Sequence, residues 1–233
     1  MQIIAHRGAS GDYPENTLLA IEQAVLQGAD AVEIDVFAVD GELIVIHDHH
    51  LARTTNGSGS IYQHSLAQLQ QLDAGRGQRI PTLWQVLQLL APTTLWLNIE
   101  LKGDNTVAPL LSLLKRAERE LQFDVNRLLI SSFNHHLLAA LKQQQPALKL
   151  GALTASLAID YAAFARQLNA YSVNCDVSFI NQAFVADAKA RGLKVYVYTV
   201  DQADDIARMA EYGVDGIFSN YPARSRQQLA AQP

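Results

Sequence analysis

Short apolar runs rich in strand-forming residues alternate with longer amphipathic stretches through nearly all of the 233 residues, and no other feature constrains the fold as much. Strand and helix in repetition are the signature of βαβ units around a parallel sheet. The expected strands are Ile3–Ala5, Ala31–Val36, Leu95–Leu101, Leu128–Ser131, Leu148–Leu153, Tyr171–Asn174, Lys194–Thr199 and Asp215–Ser219. Between them the spacing predicts helices over Glu15–Gln27, Thr82–Leu90, Thr106–Leu121, His135–Gln145, Asp160–Leu168, Gln182–Arg191 and Gln202–Tyr212. In the first helix Leu18, Ile21, Ala24, Val25 and Gly28 form one stripe at the i, i+3, i+4, i+7 spacing of a helix laid on a sheet. Gly28, Gly192 and Gly213 each stand where a helix commonly closes. The length suits one large α/β barrel or two small domains.

The alternation breaks once. Asp40-Gly41 is a turn signal, and Leu43–Ile46 behind it reads as a short strand returning antiparallel. From His49 to about Pro81 the chain is polar and rich in Gly and Ser, with one weak helical piece near Leu66–Leu72. This stretch reads as an insertion of a single domain spanning 1–233, with bounds of about 48–81, and it holds too few apolar residues for a core of its own. Gln143–Gln145 and the tail Arg224–Pro233 read as polar surface or frayed end.

Charge and cysteine content limit the function classes. With 18 basic against 23 acidic side chains the net charge of −5 offers no bulk attraction to nucleic acid or anionic lipid, so a polyanion must be held locally. No apolar tract has membrane-spanning length, and with His6, Arg7, Asp12 and Glu15 near the first residue given no signal peptide is visible. The one cysteine, Cys175, reads as a packing residue. The expectation is a cytoplasmic protein without stable membrane association, its oligomeric state unspecified.

Four strings gather ionisable residues at the C-terminal ends of predicted strands, the face on which parallel barrels carry their active sites. In His6-Arg7-Gly8-Ala9-Ser10 a proton-transfer group stands beside a guanidinium that matches phosphate oxygens. Glu33-Ile34-Asp35 places two carboxylates on one face of a strand too apolar to be an edge. Two such charges repel unless a cation lies between them, and oxygen ligands favour Mg²⁺ or Ca²⁺. Ile46-His47-Asp48 offers a second proton-transfer histidine, and Asn98-Ile99-Glu100-Leu101-Lys102 offers a third carboxylate with a lysine to neutralise phosphoryl charge. Phe133 and Tyr198 end strands at the same face and read as walls for part of a substrate or as plain core.

Taken in order, HRGAS, PENT, EID, DGELIVIHD, LARTTNG, PTL, NIELK, SSF, YTVD and GVDGIFSNYP resemble the glycerophosphodiester phosphodiesterase family over about Ile3–Pro222. The resemblance implies a TIM barrel with a small insertion after strand two. It implies hydrolysis of glycerophosphodiesters, such as glycerophosphocholine and glycerophosphoethanolamine, to sn-glycerol 3-phosphate and an alcohol. By the same resemblance His6 and His47 are the catalytic histidines, and Glu33, Asp35 and Glu100 hold a divalent Mg²⁺ or Ca²⁺. The resemblance also makes Arg7 and Lys102 phosphate contacts and sets Glu15 and Asn16 one layer out, while Phe133 and Tyr198 are expected substrate contacts from their place at the strand ends. Three positions depart from the family pattern: Tyr198 replaces a Trp, Asp201 replaces an Asn, and Asn220 stands where Asp is frequent. Two other readings stand beside this one. A lysophospholipase D-type enzyme of the same barrel class would need an apolar entrance, and a non-catalytic binding module would not need two histidines. The nucleophile stays open between water and the glycerol 2-hydroxyl.

Overall fold

The computed structural model describes residues 1–231. Its strands are β1 (Gln2–His6), β2 (Ala31–Val39), β3 (Glu42–Val45), β4 (Trp96–Leu101), β5 (Leu128–Ser132), β6 (Lys149–Thr154), β7 (Ser172–Asp176), β8 (Lys194–Tyr198) and β9 (Gly216–Ser219). All except β3 run parallel, and β1 pairs with both β2 and β9, so the sheet closes on itself as a TIM barrel. Closure leaves the barrel strands no free edge. The predicted strands all form, with no end shifted by more than three residues.

Alternation along each strand sorts side chains between two environments. On β2, Val32, Ile34 and Val36 pack outward with Ile21 and Leu87 of the surrounding helices. Ala31 belongs instead to an inner cluster with Ile4, Leu129, Tyr196 and Phe218. The same period turns Glu33 and Asp35 inward, where they are 2% and 1% exposed. The expected solvent-free strand is thus real: β2 is buried along its whole length and bonded on both sides.

Several helix boundaries are corrected. The first helix spans Leu18–Leu26 rather than starting at Glu15, because Asn16 adopts φ 57° and Thr17 caps the helix by accepting from Ala20 N. Asp160–Leu168 shortens to Ala163–Gln167, and the Leu66–Leu72 piece to Leu66–Leu69. The tail is not frayed through its described part: Pro222–Ala230 is a helix that starts on a proline and buries Pro222 and Ser225, while Gln232 and Pro233 lie outside the described residues. Gly213 closes Ala203–Tyr212 in the left-handed conformation at φ 69°.

The break in alternation is a hairpin. Asp40 and Gly41 take φ 51° and 82°, the positive values of a tight primed turn, and β3 returns antiparallel along the end of β2 from Val39↔Glu42 to Val36↔Val45. The stretch that follows shares a core with the hairpin. Leu51, Ile61, Leu69, Ala74 and Ile80 are buried with Phe37, Val39, Ile44 and Ile46. The apolar residues missing from the inserted segment come from the hairpin, which a count of the segment alone leaves out.

Candidate active site

β1, β2 and β4 deliver the carboxylates and the first histidine to the C-terminal mouth of the barrel. Their register sets His6 beside Glu33 and Asp35 beside Glu100. Period two then brings Glu33, Asp35 and Glu100 together on the inner face, with one ligand oxygen from each lying within 4.8 Å of the others. The mouth is a cavity of about 300 Å³ lined by His6, Arg7, Glu33, His47, Glu100 and Lys102 on one side and by Phe133 and Tyr198 on the other. A second cavity of about 330 Å³, among Trp96, Tyr196 and Lys149 at the far end of the barrel, has no histidine or carboxylate in its lining.

The three carboxylates are poorly compensated by protein alone. Burial, then Asp35 and Glu100, push the Glu33 carboxyl well above its ordinary value. Burial, then Asp35, raise Glu100 to about 7 despite Lys102. Glu33 Oε2 accepts from Arg7 N at 2.9 Å, but Glu33 Oε1 is buried without any partner. An orphaned oxygen beside two more carboxylates offers a cation ready ligands, and an all-oxygen set suits a hard divalent ion. The donor set therefore fits a divalent metal.

Two cations already lean into the cluster. Arg7 Nε lies 3.3 Å from Asp35 Oδ2, and Arg7 Nη1 donates to Glu15 Oε1 at 2.9 Å. Burial opposes its charge, yet Asp35, Glu33 and Glu15 hold the guanidinium above its ordinary value. Lys102 Nζ donates to Glu100 Oε1 at 2.7 Å and lies 3.5 Å from Asp35 Oδ1 and 3.3 Å from His47 Nε2. Burial works against Lys102 as well, and Glu100 and Asp35 outweigh it. Asn16 locks Asp35 from behind: its side-chain amide donates to Asp35 Oδ2 at 2.9 Å, and its Oδ1 accepts from Asp35 N at 3.2 Å.

The two histidines have unlike neighbours. His6 Nδ1 is 2.8 Å from Asn220 Oδ1, and burial with the Arg7 charge pushes its pKa down to about 4. His47 Nδ1 is 2.5 Å from Asp48 Oδ1, and the Arg53 hydrogen bond holds Asp48 well below the usual carboxylate range. Arg53, from the inserted segment, also grips both oxygens of Glu15 at 2.8 and 2.9 Å. A strap thus runs from Arg7 through Glu15, Arg53 and Asp48 to His47.

Every site residue named from the sequence therefore lies in or against this cavity, Glu15 and Asn16 behind Arg7 and Asp35. One detail differs from a simple wall: the Tyr198 hydroxyl donates to Thr154 O at 2.8 Å, so the side chain offers the cavity its ring, edge to face with Phe133 at 5.9 Å. Cys175 is fully buried, as packing requires. The sequence assigns no role to Asp48 or Arg53, and it marks Asp201 and Asn220 only as departures from the family pattern, without their contacts to each other and to His6. Arg53 stood within LARTTNG, but no periodicity ties it to a glutamate 38 residues earlier.

Comparison with known proteins agrees with this geometry. A family model described as "Glycerophosphoryl diester phosphodiesterase family" matches residues 6–224. A glycerophosphodiester phosphodiesterase of Caldanaerobacter subterraneus subsp. tengcongensis is 38% identical over 94% of this chain and 94% of its own. One of Bacillus subtilis is 34% identical over 94% of this chain and 83% of its own. The solved structure of an Oleispira antarctica phosphodiesterase in complex with the product sn-glycerol-3-phosphate superposes with a TM-score of 0.91 at 32% identity, covering 99% of this chain and 97% of that one. Among the described residues no helix is long and apolar enough to cross a membrane.

Proposed function

Because the chain belongs to the glycerophosphoryl diester phosphodiesterase family, we propose that it cleaves soluble glycerophosphodiesters, glycerophosphocholine and glycerophosphoethanolamine among them, to sn-glycerol 3-phosphate with the help of one Mg²⁺ or Ca²⁺. It is an enzyme, a phosphodiesterase of glycerophosphodiesters. The observation that carries the metal reading is the cluster of Glu33, Asp35 and Glu100 with its unpartnered Oε1. These three carboxylates would hold the ion. When bound, a divalent cation supplies positive charge to the phosphoryl oxygens and acidifies the nucleophile.

The chain's own residues do the rest in this reading. Arg7 and Lys102 neutralise phosphoryl oxygens as charge builds on them. One of His6 and His47 takes the proton from the attacking hydroxyl as its oxygen bonds to phosphorus. The other hands a proton to the alcohol oxygen as its bond to phosphorus breaks. Phe133 and Tyr198 border the space for the carbon part of the substrate, and Glu15 and Asn16 hold Arg7 and Asp35 in place. The whole chain acts as one domain with its insertion at about 48–81, in the cytoplasm, on a small molecule.

Protein stripped with chelator is expected to release no glycerol 3-phosphate from glycerophosphocholine until Mg²⁺ or Ca²⁺ is returned; full activity in excess EDTA would sink the reading. The same titration carries a pH signature. Glu100, raised to about 7 from 4.5, keeps a proton in the metal-free protein that the unfolded chain has already lost. Its contribution to metal-free stability is therefore complete below about 4.5 and disappears as pH rises through about 7. Thermal stabilisation by added metal should accordingly grow between pH 5 and pH 8, as the ion replaces that proton. A pH-independent stabilisation would contradict this. The Arg53 strap gives a third expectation: Arg53→Ala should lower kcat by about tenfold, because Asp48 loses its clamp and His47 its fixed ring. Steady-state kinetics on the metal-loaded variant would read this, and an unchanged kcat would show the strap idle.

A further inference from the structure

The geometry points to Asn220 as a positioning residue that fixes His6 in the tautomer with Nδ1 protonated and Nε2 bare, its amide being turned the right way by Asp201. This rests on the reading of His6 as a proton-transfer group.

The hydrogen bonds leave the amide one orientation. Both oxygens of Asp201 are acceptors: Oδ1 takes Asn220 N at 2.8 Å and Ser219 Oγ at 2.8 Å, and Oδ2 takes Asn220 Nδ2 at 2.7 Å. The amide nitrogen must face Asp201, since the opposite flip would set oxygen against oxygen. Asn220 Oδ1 then faces His6 Nδ1 at 2.8 Å, with Ser10 Oγ also 2.8 Å away. An amide oxygen can only accept, so His6 Nδ1 carries the hydrogen in either charge state. A ring with its hydrogen on Nε2 would press two lone pairs together at that distance. The neutral imidazole therefore enters the reaction with a free lone pair on Nε2, in a side chain that lines the catalytic cavity.

His6 thus starts as the proton acceptor. As the nucleophile's oxygen bonds to phosphorus, its hydrogen passes to Nε2, and the other hydrogen stays on His6 Nδ1, donated to Asn220 Oδ1, throughout. Donation to the departing alcohol oxygen falls to His47, which must then begin with both ring nitrogens protonated, Nδ1 against the Asp48 carboxylate and Nε2 giving up its hydrogen. The support behind His6 is also built in an unusual way. Asp201 and Asn220, two of the three departures from the family pattern, are bonded to each other, so one carboxylate and one amide are both present with their positions exchanged. With the amide in front, no negative charge touches His6 Nδ1, and the carboxylate acts one residue further back.

The test is steady-state kinetics on metal-loaded protein with glycerophosphocholine, together with ¹⁵N spectra of the His6 ring. Wild-type His6 should show a protonated Nδ1 and a bare Nε2. Asn220→Ala should cost kcat on the order of 10²-fold with KM nearly unchanged, the size of a misdirected general base. Asn220→Asp alone brings two carboxylates together and should lose comparably. The double exchange Asp201→Asn with Asn220→Asp restores one donor and one acceptor across the pair, and should recover activity to within about tenfold of wild type. An Nε2-protonated His6 in the wild-type spectrum overturns the proposal. So does wild-type kcat in Asn220→Ala alongside an inactive His6→Ala, or no recovery in a folded double variant. An active His6→Ala would remove instead the reading of His6 on which the proposal stands.

Discussion

Glu33→Gln is expected to leave the protein folded, to abolish its stabilisation by divalent cations and to lower kcat/KM by a factor on the order of 10³. The substitution keeps the side chain's shape and its acceptor for Arg7 N, and removes one ligand charge. What makes it informative is the opposite sign of its two effects. In the metal-free protein Glu33 is a burden, its carboxyl pushed well above the ordinary value by burial, Asp35 and Glu100. A group raised in the folded state contributes stability that is complete below its unfolded value and drains away as pH climbs through the folded one. Glutamine has no proton to lose, so the chelated variant should match wild type near pH 4 and exceed it progressively above. Scanning calorimetry of chelated and metal-loaded protein across that range checks both halves. A variant that is less stable than wild type without metal at neutral pH would mean that Glu33 is a structural residue and not a ligand.

His6→Ala and His47→Ala are each expected to reduce kcat by 10² to 10⁴-fold, as the loss of a general acid or base commonly does. KM should change little, because neither ring carries the phosphate charge that Arg7 and Lys102 meet. The double variant should be scarcely worse than the more damaged single one. Two groups that move protons in one step fail together once either is gone. Additive losses would place the histidines in separate steps, the outcome expected if the glycerol 2-hydroxyl attacks first and water opens a cyclic phosphate afterwards. A substrate without that hydroxyl separates the two routes.

The parts of this molecule that were legible in its sequence are those written in short periods. Alternation of two put Val32, Ile34 and Val36 on one face and Glu33 and Asp35 on the other, and it paired Glu100 with Lys102. The first helix was extended too far back because Pro14-Glu15 reads as a first helical turn, although Asn16 and Thr17 are both residues that cap a helix. What bends it is the need for Asn16 to reach Asp35, a contact 19 residues away. The final helix was missed for a related reason: Pro222–Ala230 has a polar run at Arg224–Gln228 and no apolar stripe, and its proline start is a weak signal on its own. The supports of the histidines were out of reach for a stronger one. His6 meets a residue 214 positions away, and only closure of the barrel between β1 and β9 brings the two together.

β2 is tied along different stretches to different partners, Ala31–Val36 to β4 and Val36–Val39 to β3. Sliding it by one residue would turn Glu33 and Asp35 outward among the helices and set Val32, Ile34 and Val36 around the cavity. The inserted segment anchors the far end of that strand by packing Leu51 and Ile61 against Phe37 and Val39. It therefore serves as a gauge for the carboxylate cluster as well as the bearer of Arg53. Excising it would strip His47 of its Asp48–Arg53 support and also free the strand to lose count, so a minimal version of this enzyme must keep the hairpin and its apolar cover.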